Sequence, residues 1–122
     1  MIGYATLGSN DFEKARDFYD QVLAELGGKR SMTFENMQLY ASPTAQAMLA
    51  VCRPYDGKRA SAGNGTMVAL AAASKEEVDR THAKALSLGG ADEGAPGARS
   101  DSFYGAYFRD LDGNKLCIFK AG

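Results

Sequence analysis

The second half of this 122-residue sequence repeats the order of elements predicted for the first half. A strand over Tyr4–Leu7 precedes a helix with apolar residues at helical spacing, which Gly27-Gly28 ends. Likewise, a strand over Met67–Ala71 precedes a helix that Gly89-Gly90 ends. Three further strands follow each helix. A repeat of this size predicts two copies of one supersecondary unit, each with the order β-α-β-β-β.

Local signals place the remaining boundaries. Asn10 with Glu13, and Ser74 with Glu77, have the spacing of a capping box, so each pair predicts a helix start. Asp112-Gly113 predicts a tight turn between the last two strands. The strands predicted after the helices are Lys29–Phe34, Met37–Ala41, Ala47–Cys52, Ala91–Glu93, Phe103–Arg109 and Lys115–Lys120.

The repeat predicts one α+β domain over residues 1–122. Module one spans 1–53, a linker rich in glycine and small polar residues spans 54–64, and module two spans 65–122. We expect the two βαβββ modules to form a curved mixed sheet, with the helices on its convex face and a cavity on its concave face.

Composition and charge exclude several classes of protein. The formal net charge is -1 and no basic stripe alternates with aromatic residues, so nucleic acid is not an expected partner. No apolar run is long enough to span a membrane, and the first residues show no export signal. Cys52 and Cys117 stand outside any C-x-x-C motif, which favours reduced thiols and a cytoplasmic protein.

Three motifs carry a resemblance to a known family. They are Asn10-Asp-Phe-Glu-Lys-Ala-Arg-Asp-Phe-Tyr19, Gly63-Asn-Gly-Thr66 and Arg109-Asp-Leu-Asp-Gly-Asn-Lys115. With the paired βαβββ modules, they make the chain resemble the vicinal oxygen chelate superfamily, which includes glyoxalase I, bleomycin-resistance proteins, fosfomycin-resistance enzymes and extradiol dioxygenases. The resemblance implies a fold with a cavity. It does not choose among a lyase, a transferase, a dioxygenase and a non-catalytic binder.

The resemblance also identifies the positions that hold a metal in metal-dependent members. They match Tyr4, Ala50, Met67 and Cys117, which together do not form a site for a divalent ion. The single histidine, His82, lies on the apolar stripe of the second helix and is predicted to be structural. We therefore expect no metal and no cofactor.

Strand alternation indicates which side chains line the cavity. In each strand the more aliphatic set should face the helices, which leaves Tyr4, Met67, Tyr107 and Cys117 as predicted ligand-binding residues. Two other readings remain open: Cys117 is a small buried apolar residue, and the tyrosines are ordinary strand residues.

Two further groups of charged residues allow two readings each. Asp110 and Asp112 have the composition of an acid/base pair, but beside a turn they more often bond to the local backbone. Arg53, Lys58 and Arg59 could bind an anion at the rim of the cavity, or they are simply solvated.

These observations favour a binder of a small organic molecule that lacks the family's metal site. The alternative is a glyoxalase I-like lyase, of the lactoylglutathione lyase type, or a related metal-dependent enzyme that uses non-standard ligands. Whether the protein is an enzyme therefore stays open at this point.

Apolar and small residues such as Met67, Ala69 and Ala71 would remain uncovered in so short a chain, so a homodimer is expected.

Overall fold

The computed structural model describes all residues from 1 to 122, which form eight strands and two helices. The strands are β1 (Tyr4–Gly8), β2 (Lys29–Thr33), β3 (Met37–Ser42), β4 (Ala45–Cys52), β5 (Val68–Ala71), β6 (Ala91–Ser100), β7 (Phe103–Arg109) and β8 (Lys115–Ala121), and the helices are α1 (Phe12–Ala24) and α2 (Lys75–Ser87). The order β-α-β-β-β thus occurs twice, as the repeat predicts. Neither helix has the length and hydropathy needed to cross a membrane.

The strands form two four-stranded mixed sheets with the same internal order. The first is β1-β4-β3-β2 and the second is β5-β8-β7-β6. In each, the first and last strands of the repeat pair in parallel, while the other neighbours are antiparallel. The chain divides into two compact units, Met1–Ser61 and Ala62–Gly122, called unit one and unit two below. The α+β class is confirmed, and hydrogen bonding gives each unit a sheet of its own.

In unit one, α1 covers one face of its sheet with six buried residues: Phe12, Ala15, Phe18, Tyr19, Val22 and Leu23. A polar cluster ties the helix to the strands. The Arg30 guanidinium donates two hydrogen bonds of 2.8 Å to Asp20, and the Tyr40 hydroxyl donates a third, also 2.8 Å long. Burial is the main cause that raises the pKa of Tyr40, with the neighbouring Asp20 adding to it. The tyrosine therefore stays protonated and keeps donating.

The start of α1 differs from the prediction. Its N-cap is Asp11, whose carboxylate accepts from the Lys14 amide at 3.2 Å. Asn10, the predicted cap, instead bonds through its side-chain amide to the backbone N–H and carbonyl of Ala60, at 2.8 and 3.1 Å. Both residues are good caps, and this long-range pairing uses Asn10 elsewhere.

The start of α2 follows the prediction. The Ser74 hydroxyl accepts from the Glu77 amide at 3.1 Å, and the Glu77 carboxylate reaches back to the amide of Ala73 at 3.3 Å. These bonds satisfy two backbone donors at the helix start. The capping-box prediction for Ser74 and Glu77 is therefore confirmed.

Strand β6 is longer than predicted. It continues beyond Glu93 to Ser100, and its pairing with β7 shifts register at several points around Gly94 and Gly97. β6 is the edge of its sheet, where bulges and a proline such as Pro96 are tolerated, so the strand can continue past the predicted end at Glu93.

The loop between β7 and β8 is organised by Asp110. One oxygen of its carboxylate accepts from the amides of Asp112 and Asn114, both at 2.9 Å, and the other accepts from the Asn114 side chain at 3.0 Å. Gly113 has a φ of 86°, which a glycine adopts without strain. Asp110 therefore bonds to the local backbone, as its position beside a turn predicted. Its bonds fix Arg109 and Lys115, the two residues that flank the loop.

Candidate functional site

The side chains of β7 and β8 divide between the two faces of the unit two sheet. The Tyr104 hydroxyl donates to Asp79 of α2 at 2.7 Å, which identifies the face that the helix covers. Phe108, Leu116 and Ile118 alternate onto the same face and are fully buried. Tyr107 and Cys117, which are direct partners across the strands, therefore lie on the opposite face, as do the partners Arg109 and Lys115.

Two cations contact the ring of Tyr107 on this opposite face. The guanidinium carbon of Arg99 is 5.4 Å from the ring centre, and the Lys115 ammonium is 5.6 Å from it. Arg99 also donates to the carbonyls of Gly97 and Ala95, at 2.9 and 2.7 Å, so its position is fixed by the backbone of β6. Lys115 has the ring contact but no hydrogen bond or ion pair. Its charge is thus available to a ligand.

A cavity of about 590 Å³ in unit two adjoins Lys115, and we call it the Lys115 cavity. It is lined by Arg109, Lys115 and the consecutive residues Ala62, Gly63, Asn64, Gly65, Thr66 and Met67. Arg109 is already engaged, since it donates to the Glu93 carboxylate at 2.9 Å and to the Gly113 carbonyl at 3.0 Å. The uncompensated charge in the cavity is therefore that of Lys115, and it favours an anionic group.

Cys117 is a poor nucleophile in this setting. Its residue is only 1% exposed, and burial raises the pKa of its thiol. A hydrogen bond with Tyr107 and the charges of Arg99 and Lys115 act in the opposite direction, but burial is the largest cause. Because the thiolate is the reactive form, a raised pKa leaves little of it at neutral pH.

The predicted ligand-binding residues lie in both units. Met67 lines the Lys115 cavity and is 43% exposed. Tyr107 and Cys117 lie on the same sheet face as Lys115, beside the cavity rather than among its lining residues. Tyr4 belongs to β1 of unit one, pairs with Met48 and is 54% exposed.

The predicted ligand-binding set did not include Lys115, Arg109 or the segment 62–66, although strand alternation had placed Lys115 on the expected cavity face. The alternation of side chains along a strand is the pattern that identifies Lys115, because it places this residue on the same face as Cys117, two residues away. No comparable signal identified the segment 62–66, because its approach to the β7–β8 loop depends on tertiary packing.

The residues at the family's metal positions do not fit a divalent ion. Ala50 is fully buried and has no side-chain donor, and Met67 offers only a thioether. His82 is not available, since its Nε2 atom lies 3.1 Å from the Asp92 carboxylate and 3.2 Å from the Tyr107 carbonyl, both under α2. No group of three or more His, Cys, Asp or Glu side chains has a metal-binding arrangement.

Comparison with known proteins gives one family and many structures. The model of the Glyoxalase/Bleomycin resistance protein/Dioxygenase superfamily matches residues 1–118. A crystal structure of a glyoxalase/bleomycin resistance protein from Albidiferax ferrireducens T118 is similar with a TM-score of 0.92 and 34% identity, covering 100% of this chain and 99% of that one. No curated protein matches the chain.

Two more distant structures show the fold alone. A glyoxalase/bleomycin resistance protein/dioxygenase family enzyme from Burkholderia phytofirmans PsJN has a TM-score of 0.76 and 17% identity, with 98% of each chain covered. Lactoylglutathione lyase from Agrobacterium tumefaciens has a TM-score of 0.71 and 19% identity, covering 98% of this chain and 92% of that one.

Proposed function

Because the chain belongs to the Glyoxalase/Bleomycin resistance protein/Dioxygenase superfamily, we propose that it binds a small organic anion in the Lys115 cavity, without a resident metal. The observation that carries the proposal is the charge of Lys115, a lining residue of this cavity whose ammonium has no hydrogen bond or ion pair. An anionic group on the ligand would supply the missing partner.

The size and lining of the cavity support this class of ligand. Its volume of about 590 Å³ falls in the usual range for small-molecule sites, roughly 300–1,000 Å³. Met67 supplies an adaptable apolar surface, while Asn64 and Thr66 supply polar groups that can fix the orientation of a ligand. The Tyr107 ring, beside the cavity, contacts the Lys115 ammonium and so helps to hold the charge that an anionic ligand would meet.

The chemistry of the residues favours binding over metal-dependent lyase activity. The matched metal positions lack imidazole and carboxylate, and Cys117 has a raised pKa, so neither a divalent ion nor a thiolate is supplied at neutral pH. A lyase with non-standard ligands remains the alternative function, and it requires a tightly bound metal. Metal content therefore distinguishes the two.

Aromatic carboxylates and their neutral amides test the proposal. We expect benzoate and phenylacetate to shift the backbone NMR signals of residues 62–67, Arg109 and Lys115, whereas benzamide and phenylacetamide bind more weakly. Lys115→Met should reduce the affinity for the carboxylates about tenfold, the equivalent of one charge-assisted contact.

Lys14→Met is the matched control, since Lys14 lies on the exposed side of α1 in unit one. It should leave carboxylate binding unchanged. Equal binding of acids and amides, or equal loss in both variants, would refute the role of Lys115. Native mass spectrometry of protein purified from cells would then identify any molecule that the cavity retains.

A further inference from the structure

A second, smaller cavity lies in unit one, where the start of α1 meets the loop after β4. Its volume is about 250 Å³. Its lining includes Ser9, Phe12, Arg53, Lys58 and Arg59. We call it the Arg59 cavity. It is separate from the Lys115 cavity, whose lining residues all belong to unit two.

The loop that carries the three cations is held in one position. The Asn10 amide bonds to both backbone groups of Ala60, across a separation of 50 residues. Gly8 allows the close approach, since a Cβ at that position would lie 3.0 Å from the Cβ of Ala60. Within the loop, the Asp56 carboxylate accepts from the Lys58 amide at 2.9 Å, and Gly57 donates to the Pro54 carbonyl at 3.0 Å. The cations are therefore presented on an ordered backbone.

The charged side chains that line the cavity are all positive. Arg53, Lys58 and Arg59 contribute three positive charges, and no Asp or Glu is among the lining residues. Arg53 stacks on the Phe12 ring at 4.7 Å and donates to a neutral group, the Glu35 carbonyl, at 2.9 Å. The side chains of Lys58 and Arg59 make no hydrogen bond or ion pair. Asp56 is the one carboxylate of this loop, so the three cations leave the loop with a net positive charge.

Nearby carboxylates are engaged elsewhere. Asp11 accepts from the Lys14 amide, and Glu13 pairs with Arg16 on the helix surface. These groups lie outside the lining. The hydrogen bond from Arg16, and to a lesser extent the charge of Arg53, lowers the pKa of Glu13, so Lys58 and Arg59 are the cations of the cavity without an acidic partner.

A buried hydroxyl gives a second, independent indication of a ligand. Ser9 lines the cavity and is only 3% exposed. Its oxygen accepts from the Asp11 amide at 3.0 Å, and a hydroxyl can also donate its hydrogen to a ligand. An oxyanion in the cavity would accept this hydrogen bond.

We propose that the Arg59 cavity binds a phosphoryl group, either as free phosphate or as part of a small phosphorylated molecule. Two arginines, a lysine and a serine hydroxyl supply the donors that such a group accepts, and guanidinium groups match its oxygens in pairs. The volume exceeds what one phosphate fills, so there is room for an attached organic part.

NMR titration of the full chain tests this site, with inorganic phosphate and glycerol 3-phosphate as probes at constant ionic strength. We expect saturable shifts at the amides of Ser9, Phe12 and residues 53–59. Tighter binding of glycerol 3-phosphate would identify a phosphorylated molecule as the ligand, and equal binding would identify free phosphate. Either result supports the site.

Variants separate a specific site from general attraction to a basic surface. Arg59→Gln and Lys58→Gln should each weaken phosphate binding about tenfold, the loss of one charge-assisted contact. Lys14→Gln makes the same change of charge on the exposed surface of α1 and should have no effect. Both loop positions are exposed, so the fold should be retained. Shifts that chloride reproduces, or an equal effect of Lys14→Gln, would overturn the proposal.

Discussion

The Lys115 ammonium lies 5.6 Å from the centre of the Tyr107 ring, on the sheet face turned away from α2. Arg99 contacts the same ring at 5.4 Å, so one aromatic side chain holds two cations in place. Tyr107 is also the direct cross-strand partner of Cys117, and its hydroxyl acts to lower the pKa of that thiol. Tyr107 therefore links the charge beside the Lys115 cavity to the buried cysteine.

Replacing Tyr107 should affect stability and ligand binding in different ways. Tyr107→Leu removes both cation–π contacts, each worth about 0.5–1 kcal/mol, and should lower the free energy of unfolding by about 1–2 kcal/mol. It should also weaken carboxylate binding, because Lys115 loses its support. Tyr107→Phe keeps the ring and should retain carboxylate binding. Urea unfolding and NMR titration measure both effects, and equal losses in the two variants would contradict the role of the ring.

The raised pKa of Cys117 predicts a pH dependence for its reactivity. In a Cys52→Ala background, iodoacetamide should modify the native protein slowly at neutral pH and faster as the pH rises above the ordinary value for a thiol. Tyr107→Phe should slow it further, since it removes a bond that lowers the pKa. Mass spectrometry follows the modification, and rapid labelling of the native protein at neutral pH would contradict the burial of the thiol.

The same pKa shift predicts how stability depends on pH. The folded state holds the thiol proton to a higher pH than the unfolded state does, so the contribution of Cys117 is complete below the unfolded pKa. It is lost as the pH rises from the unfolded to the folded value. Cys117→Ala should remove this alkaline loss in urea unfolding measured over a pH series, and a loss of the same size in both proteins would assign it to other groups.

We predict that the purified protein holds no stoichiometric divalent metal. Ala50 and Met67 occupy two of the matched positions and give no ligand that Zn, Ni, Mn or Fe prefers. Elemental analysis of untagged protein, after incubation with each ion and removal of the excess, measures this. One tightly bound equivalent would contradict the prediction and support the lyase.

His82 is predicted to stabilise the fold and to have no part in ligand binding. His82→Gln should change the free energy of unfolding by roughly 1 kcal/mol, because glutamine can still donate to Asp92 or the Tyr107 carbonyl. His82→Ala should cost more, since it leaves that carbonyl without its partner. Benzoate binding should be unchanged in the folded variants. Loss of binding in a variant with normal stability would show that this prediction is wrong.

A homodimer is also predicted. Ala69 and Ala71 of β5 and the preceding Met67 are exposed. β5 is an edge strand of the unit two sheet, and an uncovered apolar edge favours association. Light scattering at micromolar concentration should give the mass of two chains, and Ala69→Lys should reduce it. A single-chain mass over the whole concentration range would refute the dimer.

Local patterns in the sequence determined most of the fold. The repeat, the glycine pairs after the helices and the alternation in β7 and β8 predict the elements and the faces of Tyr107 and Cys117, because these signals act over a few residues. The capping prediction was wrong at Asn10, where a distant partner, Ala60, competes with the local bond. The extent of β6 was missed because pairing at a sheet edge outweighed its glycines and proline.

The tertiary structure decided where ligands can reach. Lys115 and Cys117 share a strand face by sequence alone, yet one lines a cavity and the other is buried. That difference depends on where the segment 62–67 lies, because it lines the cavity together with Arg109 and Lys115. The three cations of the Arg59 cavity likewise line one cavity beside the start of α1, where Asn10 holds their loop. The sequence therefore determined which residues share a strand or a helix face, whereas long-range contacts, which no local period encodes, decided which charges remain available.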